Sequence, residues 1–106
     1  MSHPVKVGTL SGLPPGTGRQ VHVEDRVVAI FNVGGTIHAI GGSCTHRGGP
    51  LGEGRLDGSI VACPWHGSRF DVTTGAVLSP PAARNADVYK VSVEADAIVV
   101  ELPDRT

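Results

Sequence analysis

Two short stretches hold the residues that could do chemistry. Cys44-Thr45-His46-Arg47-Gly48-Gly49-Pro50-Leu51 and Cys63-Pro64-Trp65-His66-Gly67-Ser68-Arg69-Phe70 each supply one thiol and one imidazole, first as C-x-H and then as C-x2-H, with sixteen residues between His46 and Cys63. Thiolate and imidazole are the donors that hold zinc and iron-sulfur centres. Cys44, His46, Cys63 and His66 are therefore candidate ligands of one metal centre. No paired carboxylates, no nucleophile beside a base and no nucleotide-binding glycine motif accompany them, which points away from an enzyme active site.

The spacing discriminates between centres. A mononuclear zinc site usually takes two cysteines from one knuckle and two histidines from one helical turn. Here each stretch is mixed. A two-iron, two-sulfide cluster of the Rieske kind needs two cysteines on one iron and two histidines on the other. Two mixed loops approaching from opposite sides satisfy that, because each loop spans both irons. Cys2His2 is also an acceptable zinc set, so zinc stays open as the alternative.

The paired motif resembles that of the Rieske iron-sulfur proteins, and the likeness extends more loosely over the strand and turn pattern of residues 27–102. The resemblance implies one Rieske 2Fe-2S cluster held by Cys44, His46, Cys63 and His66. It also implies an all-β fold in which antiparallel sheets form a sandwich or barrel base (residues 1–41 and 73–106) with a small inserted cluster-binding subdomain (residues 42–72), the whole being one domain. Pro80-Pro81 resembles the proline segment that covers a third side of the cluster in this family.

Departures from the family's branches narrow the reading. In the Rieske subunits of cytochrome bc-type complexes each loop carries an extra cysteine, and the two form a disulfide; the matching positions here are Gly49 and Trp65. Those subunits also use a serine and a tyrosine to hydrogen-bond the cluster sulfurs; Ser68 matches the serine, and Phe70 replaces the tyrosine. The chain is thus similar to the soluble Rieske ferredoxins of ring-hydroxylating oxygenase systems. That implies a one-electron carrier and not an enzyme, with a flavin-dependent ferredoxin reductase upstream and a terminal oxygenase downstream. A small Rieske subunit of an assimilatory nitrite reductase, a cluster-based redox sensor and a zinc-stabilised binding module are the other readings.

Composition sets the frame. At 106 residues the chain is one domain, near the size at which a metal centre adds useful stability. Nine basic and ten acidic residues give a net charge of -1, which leaves no electrostatic footprint for nucleic acid and no polybasic membrane segment. Both cysteines are spoken for as ligands, which fits a reducing compartment. No leader and no bilayer-length apolar run is visible, so a soluble, cytoplasmic and monomeric protein is expected.

The elements that must position the loops read as strands. Val5-Lys6-Val7 alternates, Ser11 to Gly18 is rich in breakers, and a strand starting near Arg19 turns at Glu24-Asp25 into Arg26-Val27-Val28-Ala29-Ile30-Phe31. Asn32-Val33-Gly34-Gly35 marks a hairpin into Thr36-Ile37-His38-Ala39-Ile40. Leu56 to Ala62 reads as a turn and short strand delivering Cys63, and Phe70 to Val77 as strand, Thr-Thr-Gly turn and strand. Val88 to Val93 and Ala97 to Leu102 form the last pair, with residues 103–106 frayed and no helix anywhere.

Around the ligands, Gly48, Gly49 and Gly67 are read either as positions that let backbone N–H groups curl around a cluster or as ordinary turn glycines. Trp65 is read either as packing or as a docking contact at the cluster tip. Arg47 and Arg69 are solvated charges or a positive patch for an acidic docking face. His3, His22 and His38 have no partners at metal spacing and no assigned role.

Overall fold

The computed structural model describes residues 1–104. Ten strands follow in order: β1 (Ser2–Thr9), β2 (Gly18–Val23), β3 (Arg26–Val33), β4 (Thr36–Gly41), β5 (Arg55–Asp57), β6 (Ile60–Ala62), β7 (Arg69–Asp71), β8 (Val88–Tyr89), β9 (Val91–Glu94) and β10 (Ala97–Pro103). They form three antiparallel sheets ordered β1-β10-β9, β2-β3-β4-β8 and β5-β6-β7. The all-β expectation holds; among the described residues the one helical element is a single 3-10 turn, Leu51–Glu53, which the sequence reading did not foresee.

β3 is the shared wall. Its residues Val28 to Asn32 are all buried, and side chains alternate across a strand, so one face feeds each of two cores. Val28 and Ile30 pack with Leu13, Ile37, Ile98, Val100 and Leu102 toward the first sheet. Ala29 and Phe31 pack with Ile40, Leu51, Val61, Phe70 and both cysteines. The second core is therefore the floor of the ligand loops.

Two-residue hairpin loops set the registers. Val23 pairs with Arg26, Val33 with Thr36, Asp57 with Ile60 and Glu94 with Ala97. The first loop residue in each case takes positive φ: Glu24 57°, Gly34 59°, Gly58 62° and Ala95 55°. That is the backbone twist short hairpins favour. Asn32 further accepts the Gly35 N–H at 2.8 Å and donates to the Leu13 carbonyl at 2.8 Å, tying the Pro-Gly loop to this hairpin.

Three expectations are corrected. The opening strand runs from Ser2 to Thr9 and not only over Val5-Lys6-Val7, because it pairs with β10 along its length as an edge strand where Pro4 is tolerated. The expected single strand from Val88 to Val93 divides at Lys90, with β8 joining β4 and β9 joining β10. The return arm after Phe70 shrinks to one bridge between Phe70 and Val77, because Asp71 accepts from the Thr73 N–H (2.9 Å) and hydroxyl (2.6 Å) and turns the chain.

The end of the chain is also tied down as far as it is described, and the expected fraying of Arg105 and Thr106 lies outside the described residues. Pro103 pairs with Ser2, and the Asp104 N–H donates to the Met1 carbonyl at 2.8 Å. His3, given no role from sequence, bridges two carboxylates: Nδ1 to Asp104 at 2.6 Å and Nε2 to Glu24 at 2.9 Å. It clasps β1, the C-terminal end of β10 and the β2–β3 turn. Hydrogen bonding to Asp104, then to Glu24, raises the His3 pKa above its ordinary 6.5. A raised folded-state pKa contributes stability that is full below the unfolded value and is lost as pH rises through the folded value. The melting-temperature gap between wild type and His3→Gln is thus expected to be widest below about pH 6.5 and to close at alkaline pH; thermal unfolding across pH 6 to 9 checks it, and a gap that widens with pH would contradict it.

Candidate metal centre

Two loops of one design hold the candidate ligands. In each, the cysteine N–H donates to the carbonyl five residues on, Cys44 to Gly49 and Cys63 to Ser68, both at 2.8 Å. The cysteine carbonyl in turn accepts from the glycine four residues on, Gly48 at 2.8 Å and Gly67 at 2.9 Å. Those glycines have φ of 78° and 77°, left-handed values that side chains rarely adopt. The histidine falls two residues after the cysteine in one loop and three in the other. The shared C-x3-G spacing was the sequence signal for this common turn.

The first loop is pinned at its neck. Ser43 and Pro50 form a bridge, the Gly42 N–H donates to the Val27 carbonyl at 2.9 Å, and the Leu51 N–H donates to the Gly42 carbonyl at 2.9 Å. Gln20 on β2 closes it from below: its amide donates to the Gly42 carbonyl (2.8 Å) and its oxygen accepts the Gly52 N–H (2.6 Å). Sequence reasoning missed Gln20, since nothing local marks a residue whose partners lie 22 and 32 positions away. The second loop closes the β6–β7 hairpin, where Ala62 pairs with Arg69.

The proline segment joins both loops. Thr45 donates its hydroxyl to the Arg84 carbonyl at 2.6 Å, Ser79 Oγ accepts the Arg69 N–H at 3.0 Å, and the buried Ser68 Oγ accepts the Ala82 N–H at 2.9 Å. The Ser68 proton stays free to be donated. Phe70 is fully buried in the core below the loops, where a tyrosine hydroxyl would need a partner.

The four donors sort into two pairs. Cys44 and Cys63 are free thiols, 4% and 3% exposed, within the core cluster. The imidazoles of His46 and His66 stand edge to face with ring centroids 5.1 Å apart, and the His66 residue is exposed. Among the described residues no three His, Cys, Asp or Glu side chains converge as a site for a single ion. A tetrahedral zinc site would bring its four donors within about 4 Å of one another; a cluster with two ligands on each iron has no such requirement.

Two features mark the histidine side as built for a ligand. Nδ1 of His46 is buried without a hydrogen-bond partner, which is costly unless something binds it. Burial first, then the nearby His66 and Arg47, lower the His46 pKa, favouring the neutral imidazole that ligates metals. The thiols and imidazoles present thus fit a two-iron cluster.

Gly49 has a reason distinct from its neighbour's. Its φ is not positive, but a Cβ there would lie 2.6 Å from Cys63 Sγ and 3.1 Å from two indole carbons of Trp65. The loops meet at this point, with the indole of one lying over the bare backbone of the other while Trp65 stays 57% exposed. The packing reading of Trp65 therefore holds, and the rest of the indole is left open to solvent. Of the remaining histidines, His22 is exposed and His38 half-buried, and neither joins the centre.

Fold and donor set together define a Rieske iron-sulfur domain. Residues 3–93 match the Rieske [2Fe-2S] domain family, and the chain belongs to it, with one Rieske-type 2Fe-2S cluster as its cofactor. Among named relatives, it is 39% identical over 97 residues to the biphenyl dioxygenase ferredoxin subunit of Pseudomonas sp. (strain KKS102), covering 91% of this chain and 89% of that one. It superposes on the ferredoxin of carbazole 1,9a-dioxygenase from Nocardioides aromaticivorans IC177 with a TM-score of 0.86 at 35% identity, over 93% of this chain and 97% of that one. A chain in the complex of reduced oxygenase and oxidised ferredoxin of carbazole 1,9a-dioxygenase gives a TM-score of 0.85 at 37% identity, over 92% of this chain and 91% of that one. Among the described residues no helix is long and apolar enough to cross a membrane.

The contact at Gly49 yields a direct test. Gly49→Ala places a methyl against Cys63 Sγ and the indole, and neither backbone-anchored loop can withdraw far. Purified variant is expected to carry well under half the iron and acid-labile sulfide of wild type while keeping its β-sheet circular dichroism; full loading would contradict the close approach.

Proposed function

We propose that this Rieske ferredoxin shuttles single electrons from a flavin-dependent reductase to the terminal oxygenase of a ring-hydroxylating dioxygenase system, in the cytoplasm. In this reading Cys44 and Cys63 hold one iron and His46 and His66 the other, within a cluster-carrying unit, residues 42–72, set on a base made of 1–41 and 73–106. The cluster, when bound, supplies a reversible one-electron couple. The protein's own residues bind it, exclude water from its sulfur side and leave one edge open.

The observation that carries the reading is the asymmetry of burial across the donors. Both thiols are almost wholly enclosed, whereas the His66 residue is exposed at the tip and His46 is half-buried beside it. Electron transfer between proteins needs a close approach of redox groups but no substrate cavity, and an open imidazole edge provides that. Trp65, 57% exposed in the second loop beside His66, gives the same end a large apolar side chain of the kind that anchors transient interfaces. No free coordination position is left for a substrate once four protein ligands are in place, which favours a carrier over an enzyme.

The relatives support the partners: they are ferredoxin components of dioxygenase systems, and one has been seen with its oxygenase. Two free cysteines with no disulfide suit a reducing compartment. The test is anaerobic stopped-flow mixing of the reduced protein with the terminal oxygenase from the same organism. Oxidation of one electron per protein, faster than turnover of the system, is the expected outcome; no oxidation, or a rate far below turnover, would contradict the carrier role.

A further inference from the structure

The outer face of the third sheet carries a charge pattern that the electron-carrier reading does not use. Arg55 pairs with Ala62, and Ala62 pairs with Arg69, so the three residues form one row across β5, β6 and β7. The next row is Asp57, Ile60 and Asp71. On the opposite face Leu56, Val61 and Phe70 pack into the core beneath the ligand loops, which turns both charged rows outward.

Strand spacing puts the two arginine backbones about 10 Å apart, and the residue between them contributes only a methyl group. The side chains of Arg55, Asp57, Ile60, Ala62 and Arg69 line a shallow cleft of about 170 Å³. Both arginines are exposed, and among the described residues neither guanidinium has a hydrogen-bond or ion-pair partner. Asp71 is engaged by Thr73, and its pKa is held below the usual carboxylate range by that hydrogen bonding. Asp57 is the one exposed carboxylate lining the cleft.

The position of the arginine row matters more than its charge. Ala62 directly precedes Cys63, and Arg69 directly follows Ser68, so the row lies at the base of the second ligand loop, with the acidic row one step farther from it. A docked protein that engages both rows is held at one rotation about the axis through the loop tip. Paired, unpaired guanidiniums around a gap are suited to carboxylates, which they can grip in a bidentate manner.

We propose that Arg55 and Arg69 form a docking ledge for an acidic surface of the terminal oxygenase, orienting it over the exposed histidine edge. The proposal rests on the carrier reading above. Complementary charge of this kind acts chiefly on the encounter rate and is screened by salt.

The test uses the loaded protein and the terminal oxygenase from the same organism. Second-order oxidation of reduced protein is followed by stopped flow at low and high ionic strength for wild type, R55Q/R69Q and the exposed single variant R19Q on β2, with electron paramagnetic resonance and midpoint potential as checks that the cluster is unchanged. R55Q/R69Q is expected to slow oxidation by about tenfold at low salt and to flatten its salt dependence, while R19Q changes the rate by less than about twofold. Equal effects of R55Q/R69Q and of two-charge neutralisation elsewhere (R19Q combined with K6Q) would overturn the ledge and leave the carrier role standing. Unchanged oxidation of R55Q/R69Q by the oxygenase, with slowed reduction of the oxidised variant by the ferredoxin reductase in a parallel mixing experiment, would overturn the assignment to the oxygenase. No oxidation of wild type at all would overturn the carrier reading, and this proposal with it.

Discussion

The close approach of the two ligand loops governs the rest of this structure. Two thiols and two imidazoles drawn from sequence positions about twenty residues apart must share one small volume, and the loops touch where Gly49 lies against Cys63 Sγ and under Trp65. No covalent bond crosses that contact, since both cysteines are free. The loops are instead held apart and together by their footings: a bridge and Gln20 beneath the first, a β-hairpin beneath the second, and the proline segment bonded to both.

That arrangement explains where the burial lies. β3 is covered on both faces, and the face carrying Ala29 and Phe31 supports Leu51, Val61, Phe70 and the two cysteines as one cluster. Removing a ring such as that of Phe31 would cost on the order of 3–5 kcal/mol and would disturb the floor of the metal centre along with it. Gly18 and Gly52 belong to the same constraint. A Cβ on Gly18 would meet the Phe31 ring at 2.6 Å, and one on Gly52 would meet the β2 backbone at 2.5 Å, so β2 lies directly against the turn that follows the first loop. The two thiols are buried on this floor, whereas His66 is exposed and His46 half-buried.

Much of this was legible from the chain alone, for physical reasons. Alternating burial makes strands visible, and Gly34-Gly35 and Gly58-Ser59 announce hairpins because only a few residue types accept the required backbone. The candidate ligand motif is visible because thiols are few and each pairs with an imidazole two or three residues on, a spacing suited to a metal centre. What stayed hidden depends on contacts distant in sequence. The break at Lys90 follows from β8 and β9 choosing different sheets, the role of Gln20 from a loop that returns to it, and the His3 clasp from carboxylates 21 and 101 residues away. Gly49 reads in the sequence either as a residue that lets backbone curl around a cluster or as a turn glycine, whereas its φ is not positive and packing against Cys63 and Trp65 explains it.

The most direct test of the account is whether both histidines bind one iron. Electron–nuclear double resonance on the reduced protein, grown with 15N-histidine, reads the nitrogens coupled to the localised electron. The account predicts two strongly coupled imidazole nitrogens, falling to one in a sample of His46→Cys that retains its cluster. A single coupled nitrogen in the wild-type protein, or none, would contradict it.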